Sequence, residues 1–234
     1  MRIGGKLSSL VKYASELIIR SLFIYGDMES RHVPVILNLT LLLTQVVLVN
    51  LSAVGSLIAL FSTLLTYVFR GASKVLKYAS ILASIPTIWY FITSLPFTLS
   101  VVKSLAITVN VFTLSLATLA FLYFINPIEL AYLMNRLKLK EVSLYPVLTW
   151  KAVPHILKDL KTALTIASMK NVELWRGLAI TVVTVEEYSQ FYEEAQHAKG
   201  VFQPKYWYSW RDTAITACLV MINLTAIYLL KLCF

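Results

Sequence analysis

Charge is scarce in this chain. Asp, Glu, Lys and Arg make up 14% of its 234 residues, where a soluble domain carries about 25%. The shortage is concentrated: His32 to Phe69, Tyr78 to Val102, Ser104 to Ile128 and Thr213 to Leu230 contain none of the four. With a mean hydropathy of +0.73, such runs exclude an ordinary soluble domain and point to a membrane protein. The runs also lack the buried carboxylates that proton-driven carriers and ion pumps keep at membrane depth, which argues against an autonomous carrier.

Residues that carry chemistry are equally sparse. The two cysteines, Cys218 and Cys233, stand fifteen apart at opposite ends of the last apolar run. On one helix that is about 22 Å, too far for a disulfide, and no metal-ligand spacing is present. His32, His155 and His197 are the three histidines, far apart in sequence, and no paired-carboxylate motif accompanies them. Glu186–Glu187 and Glu193–Glu194 read as a solvated helix face. No GxxxxGK[ST] phosphate loop occurs. The chain is therefore expected to be no enzyme and to bind no cofactor or metal.

A crossing takes roughly 20 residues. The first uncharged run has room for two, turning near Val49 to Ser52, and the others for one each. The expected spans are Val33 to Leu48, Ala53 to Phe69, Ile81 to Val101, Leu105 to Ile125 and Thr213 to Leu230. With five crossings, nineteen of the 21 Lys and Arg residues and all twelve acidic residues fall on one side, leaving Lys103 and Lys231 opposite. That asymmetry marks the crowded side as cytoplasmic and accounts for the net charge of +9 without nucleic-acid binding. Trp207, Tyr208, Trp210 and Tyr228 suit interfacial anchoring of the last span. Pro86 and Pro96 predict a kinked or broken third span: a packing feature, or a path lined by freed carbonyls.

Residues 1–32 form a cytoplasmic or interfacial segment. Lys12, Glu16 and Arg20 interrupt any signal-peptide core. Leu7, Leu10, Val11, Ala14, Leu17, Ile18 and Leu22 share one helical face, which suits a helix on the inner leaflet; the other reading is a helix packed on the polar insertion. Residues 33–126 hold four spans, 127–206 the insertion and 207–234 the last span. In the insertion, Asn126 and Pro127 suit a helix start, with Glu129 in its first turn. A long amphipathic helix is expected from about Val147 to Lys170, with Val153, Ile156, Leu157, Leu160, Ala163, Leu164 and Ala167 on one stripe. Pro154 either kinks it or marks its start. Another is expected from about Leu178 to Lys199. Both end in Lys followed by Asn171 or Gly200, residues that tolerate the left-handed turn after a helix.

"NPIELAYLMNRLKLK", Pro154 and Asp159 in "AVPHILKDLKTA", and the two endings Met169-Lys170-Asn171 and Ala198-Lys199-Gly200 together resemble the transmembrane component of energy-coupling-factor (ECF) transporters. The likeness is best from about Asn126 onwards. It implies an all-α membrane protein of about five spans with a cytoplasmic region of two long coupling helices. It further implies that each ending docks on one of two ATPase subunits, that ATP and Mg are held by those ATPases, and that a membrane S-component binds a vitamin or a cobalt or nickel ion for uptake across the cell membrane. The family's endings usually carry Arg, and Lys cannot copy its two-point fork; Asn171 also replaces a glycine. A permease of another ABC class or a membrane scaffold is the competing reading, and an integral membrane enzyme a further one.

Overall fold

A computed structural model describes residues 2–23, 32–98, 100–139, 142–143, 145–169, 179, 183, 186–187, 190 and 208–233, with the backbone alone at 2–8, 10, 151, 164, 167–169 and 233. Among the described residues all regular structure is α-helical. The chain divides into two compact units, one of residues 1–23 and 127–205, the other of residues 24–126 and 206–234.

The second unit is a bundle of five helices: α2 (Val35–Leu51), α3 (Ala53–Phe69), α4 (Ser73–Thr98), α5 (Val101–Phe124) and α8 (Trp210–Cys233). Three of them, α4, α5 and α8, are long and apolar enough to cross a membrane, while α2 and α3 are apolar but shorter. Ser52 breaks the first uncharged run: its side chain accepts from the Gly55 amide at 3.0 Å and caps α3. At the other end of α3 the Ala72 amide reaches the Tyr67 carbonyl (2.8 Å) and the Gly71 amide reaches Val68 (3.2 Å). Gly71 sits at φ +72°. This paired closure satisfies two terminal carbonyls and needs a left-handed residue, which glycine supplies without steric cost.

Pro86 and Pro96 do not break α4, which runs through both without interruption. Each ring removes one amide donor, to the carbonyls of Leu82 and Ile92. Ending the helix in an apolar surrounding would expose several more backbone groups, so continuity is the cheaper solution. The hydroxyls of Ser84, Thr87, Thr93 and Ser94 bond to carbonyls of the same helix around the two rings.

α5 packs between α3 and α4, and α8 lies on α2 and α3. Small residues let the backbones approach: Ala79 and Ala83 of α4 meet Leu116, Ala120, Tyr123 and Phe124 of α5 in one buried cluster with Tyr67. The bundle buries polar residues among its apolar clusters and is apolar outside. Asn38, Thr44, Gln45, Thr63, Thr66, Thr216 and Asn223 are buried, whereas Ile36, Leu57, Phe61, Trp89, Phe97, Val102, Met221 and Leu229 are exposed. A surface this apolar suits lipid.

The first unit holds α1 (Arg2–Leu22), α6 (Pro127–Arg136) and α7 (Tyr145–Met169). Both α1 and α6 pack on α7, so α1 behaves as a helix packed on the insertion. Leu17, Ser15 and Ser21 are buried there, and Phe23 meets Trp150 edge-on at 5.9 Å. Lys138 closes α6 at φ 65°, its amide reaching Asn135 and that of Leu139 reaching Met134, both at 3.0 Å. A side chain in that conformation costs about 1 kcal/mol relative to glycine, offset by the two carbonyls it satisfies. Pro154 neither starts nor ends α7, which begins at Tyr145 and passes through it.

Glu16 ties the helices of this unit, pairing with Arg20 of its own helix at 2.6 Å and with Lys161 of α7 at 3.0 Å. The hydrogen bond from Lys161 and its charge hold the Glu16 carboxyl below the usual carboxylate range. A depressed carboxyl stabilises the fold above its unfolded pKa and loses that effect as pH falls through the folded one. With both partners partly exposed, the contribution is a few tenths of a kcal/mol. Unfolding of the wild type should therefore lose a Glu16-dependent increment below about pH 4, absent in Glu16→Gln and visible by pH-resolved thermal melts of both proteins.

Candidate functional site

Among the described residues of the five-helix bundle, Arg70 is the buried cation. Arg70 follows α3 directly, at the position just before the left-handed Gly71, and its amide bonds back to Thr66 at 3.2 Å. The closure of α3 thus aims this side chain back into the bundle, where the residue is 5% exposed. Its guanidinium donates to Asn38 Oδ1 of α2 at 2.8 Å and lies 3.9 Å from the Phe124 ring centroid of α5. Asn38 Nδ2 donates to the Phe124 carbonyl at 3.3 Å, an end-of-helix acceptor with no partner inside its own helix. Phe124 in turn packs on Tyr67 and Tyr123, with ring centroids 5.6 and 4.9 Å away.

Burial pushes the Arg70 guanidinium down to about 10, while the charge of the Asp212 carboxylate at the start of α8 pulls it back up. The group is therefore cationic at neutral pH. A buried cation, one amide, one ring face and one carboxylate thus come from α3, α2, α5 and α8. Beside them lies a small recess lined by Gln45, Thr66, Asn38 and Arg70, with Leu41, Ala117 and Phe121. It has room for about one water molecule, far less than an organic solute requires. This arrangement can hold helices in register; it has no nucleophile and no acid–base pair.

Deeper in the bundle a second polar contact joins α8 to α2. Asn223, fully buried, donates from Nδ2 to Thr44 Oγ1 at 3.2 Å, and its Oδ1 has no partner. Towards the Ser52 end, Ser56 of α3 bonds to Asn110 of α5.

Of the residues expected from sequence to dock partners, Met169 alone is described. Met169 is the last residue of α7. Lys170, Asn171, Ala198, Lys199 and Gly200 lie outside the described residues, as does most of the helix expected from Leu178 to Lys199. Of that helix Ala179, Val183, Glu186, Glu187 and Gln190 are described, each helical and exposed. Asn38, Arg70, Phe124 and Asp212 are absent from the sequence reading as a site. The available signal was a polar pair seven residues apart, Asn38 and Gln45, on one face of an otherwise apolar helix.

No family model matches this chain, and no curated protein and no solved structure matches it either.

Proposed function

We infer that the chain is the transmembrane coupling subunit of an ECF-type ABC importer. In this reading five helices cross the cell membrane, the N-terminal and inserted segments are cytoplasmic, and two long helices end in basic tips that dock on two ATPase subunits. ATP and Mg belong to those ATPases. The substrate, a vitamin or a transition-metal ion, belongs to a small membrane S-component, and this chain performs no chemistry of its own.

The observation that carries the reading is how the chain is divided. Residues 127–205, inserted between α5 and α8, form a compact unit with the N-terminal helix, separate from the bundle. All the links to that unit leave the bundle at one end. His32, Phe124, Asp212 and Arg70 meet there, whereas Ser52 and the α4–α5 connection lie at the other. A subunit that relays motion into a membrane needs such a one-ended connection. Further support comes from α7, whose 25 residues make a lever about 37 Å long ending where the first expected tip begins.

Charge placement supports the orientation, since Arg70, Lys74 and Lys77 flank one end of the bundle, and Lys103 and Lys231 lie towards the other. At 17 residues each, α2 and α3 are about 26 Å long, at the short limit for a hydrocarbon core of about 30 Å.

The chain should co-purify from its native membranes with ATPases carrying a phosphate-binding loop and with a small membrane protein. Lys199→Glu should reduce ATPase recovery at least tenfold, since it reverses the charge of the expected tip. Unchanged recovery would remove Lys199 from docking. A wild-type chain that brings down neither partner would overturn the assignment and favour a scaffold or another permease class.

A further inference from the structure

We propose that Arg70 is a positioning residue that clamps together the three places where the polypeptide passes between the bundle and the other unit, so that the bundle receives displacement of those links as one body. The coupling half of this proposal rests on the transporter reading; the clamp itself does not.

The bundle-side ends of the three links are close in structure although far apart in sequence. The first reaches α2 at His32, whose carbonyl accepts the Ser209 amide of the third at 2.9 Å. Three residues on, the Asp212 amide bonds to Ser209 Oγ at 3.3 Å, fixing the start of α8. The second link leaves α5 after Phe124, whose carbonyl is held by Asn38 of α2 at 3.3 Å. Arg70 closes the set. It bonds to Asn38 at 2.8 Å and lies 3.9 Å from the Phe124 ring centroid, and the Asp212 carboxylate, on a residue whose amide is tied to Ser209, acts on it through its charge. One side chain thus addresses a residue beside each link.

The choice of residue favours positioning over simple cohesion. A buried cation is costly to desolvate, and apolar residues in place of both Arg70 and its polar partner would hold helices together as well or better. What an apolar residue lacks is direction. The planar guanidinium offers donors in fixed orientations and an attractive face for an aromatic ring, so it holds only one arrangement of α2, α5 and α8. Arg70 is itself fixed by the α3 closure at Gly71.

The test uses the full chain with whatever partners co-purify. Arg70→Lys keeps the charge but loses the fork; Asn38→Ala removes the shared amide; Arg70→Met removes the charge. Amide hydrogen exchange should rise at least tenfold in residues 32–36, 122–126 and 209–214, and less than threefold around Ser52 and Gly55. A merely cohesive residue would raise exchange at both ends alike, and that result, or no change, would overturn the clamp.

In the ATPase-bound complex, ATP hydrolysis should persist while substrate uptake falls at least tenfold. Localised loosening with full uptake would overturn the coupling role and leave the clamp. A wild-type chain without ATPases overturns the transporter reading, and the exchange pattern then decides the clamp by itself. If Arg70→Met fails to accumulate, Arg70→Lys and Asn38→Ala give the same decision.

Discussion

Gly55→Val should lower the stability of the chain by about 3 kcal/mol, because the α2–α3 hairpin cannot close around a side chain there. A Cβ built at Gly55 overlaps the Leu48 carbonyl oxygen and lies 3.0 Å from its carbonyl carbon. The obstacle is backbone, which cannot rotate aside as a side chain would. The hairpin is also tied on both flanks. Ser52 caps α3 through the Gly55 amide, and the Ser56 hydroxyl reaches back to the Val49 carbonyl at 3.4 Å and across to Asn110. Relieving the overlap means opening these contacts together, and Leu230 of α8, 3.4 Å from the added atom, would move too. Gly71→Ala is the control. A Cβ at Gly71 meets nothing within 4 Å, so the cost there is only that of a side chain at positive φ, about 1 kcal/mol. Thermal unfolding in mild detergent should rank Gly55→Val well below Gly71→Ala and wild type. Equal midpoints for the two variants would show that the close approach at Leu48 carries no weight.

What could be read from sequence follows from where physics acts locally. The uncharged runs located the five bundle helices, and the turn expected near Val49 to Ser52 falls at Ser52, since Val49 to Leu51 continue the helix. Pro127, Glu129 and Arg136 bracket α6 as capping and dipole rules predict. Proline gave two readings. Pro86, Pro96 and Pro154 suggested a kink, or else a break or a start, and their places inside continuous helices remove the break and the start. The local rule counts one lost hydrogen bond and a ring clash. It does not count the larger cost of exposing a helix end among apolar neighbours, nor the packing of Ala79 and Ala83 that holds α4 against α5.

The Arg70 cluster was illegible for a different reason. In sequence Arg70 is one basic residue among several beside a span, which is how it entered the charge count. Its burial depends on Gly71 turning the chain at φ +72° and on Asn38 and Phe124 arriving from residues 32 and 54 positions away. No local pattern encodes that meeting. The expected tips, apart from Met169, lie outside the described residues.

Arg70→Met should cost about 3 kcal/mol, the largest loss expected from any single change within the polar interior. Three effects contribute. The hydrogen bond from a charged donor to Asn38 is lost, worth roughly 1.5–3 kcal/mol. The guanidinium–ring contact with Phe124 is lost, worth roughly 0.5–2 kcal/mol. Against these, a cation no longer needs desolvation, which returns part of the loss. Asn38 decides the balance, because it is 4% exposed and keeps an unpaired oxygen at Oδ1 once the guanidinium is gone. Asp212 matters less, being only partly buried and open to solvent. Removing both buried polar partners should therefore be milder than removing one. Arg70→Met with Asn38→Leu is expected to recover about half of the loss of Arg70→Met, measured by thermal unfolding in the same detergent. A double variant that falls by the sum of the two single losses would mean that Arg70 and Asn38 act independently, and that the directed bond between them is not what holds α2 to the end of α3.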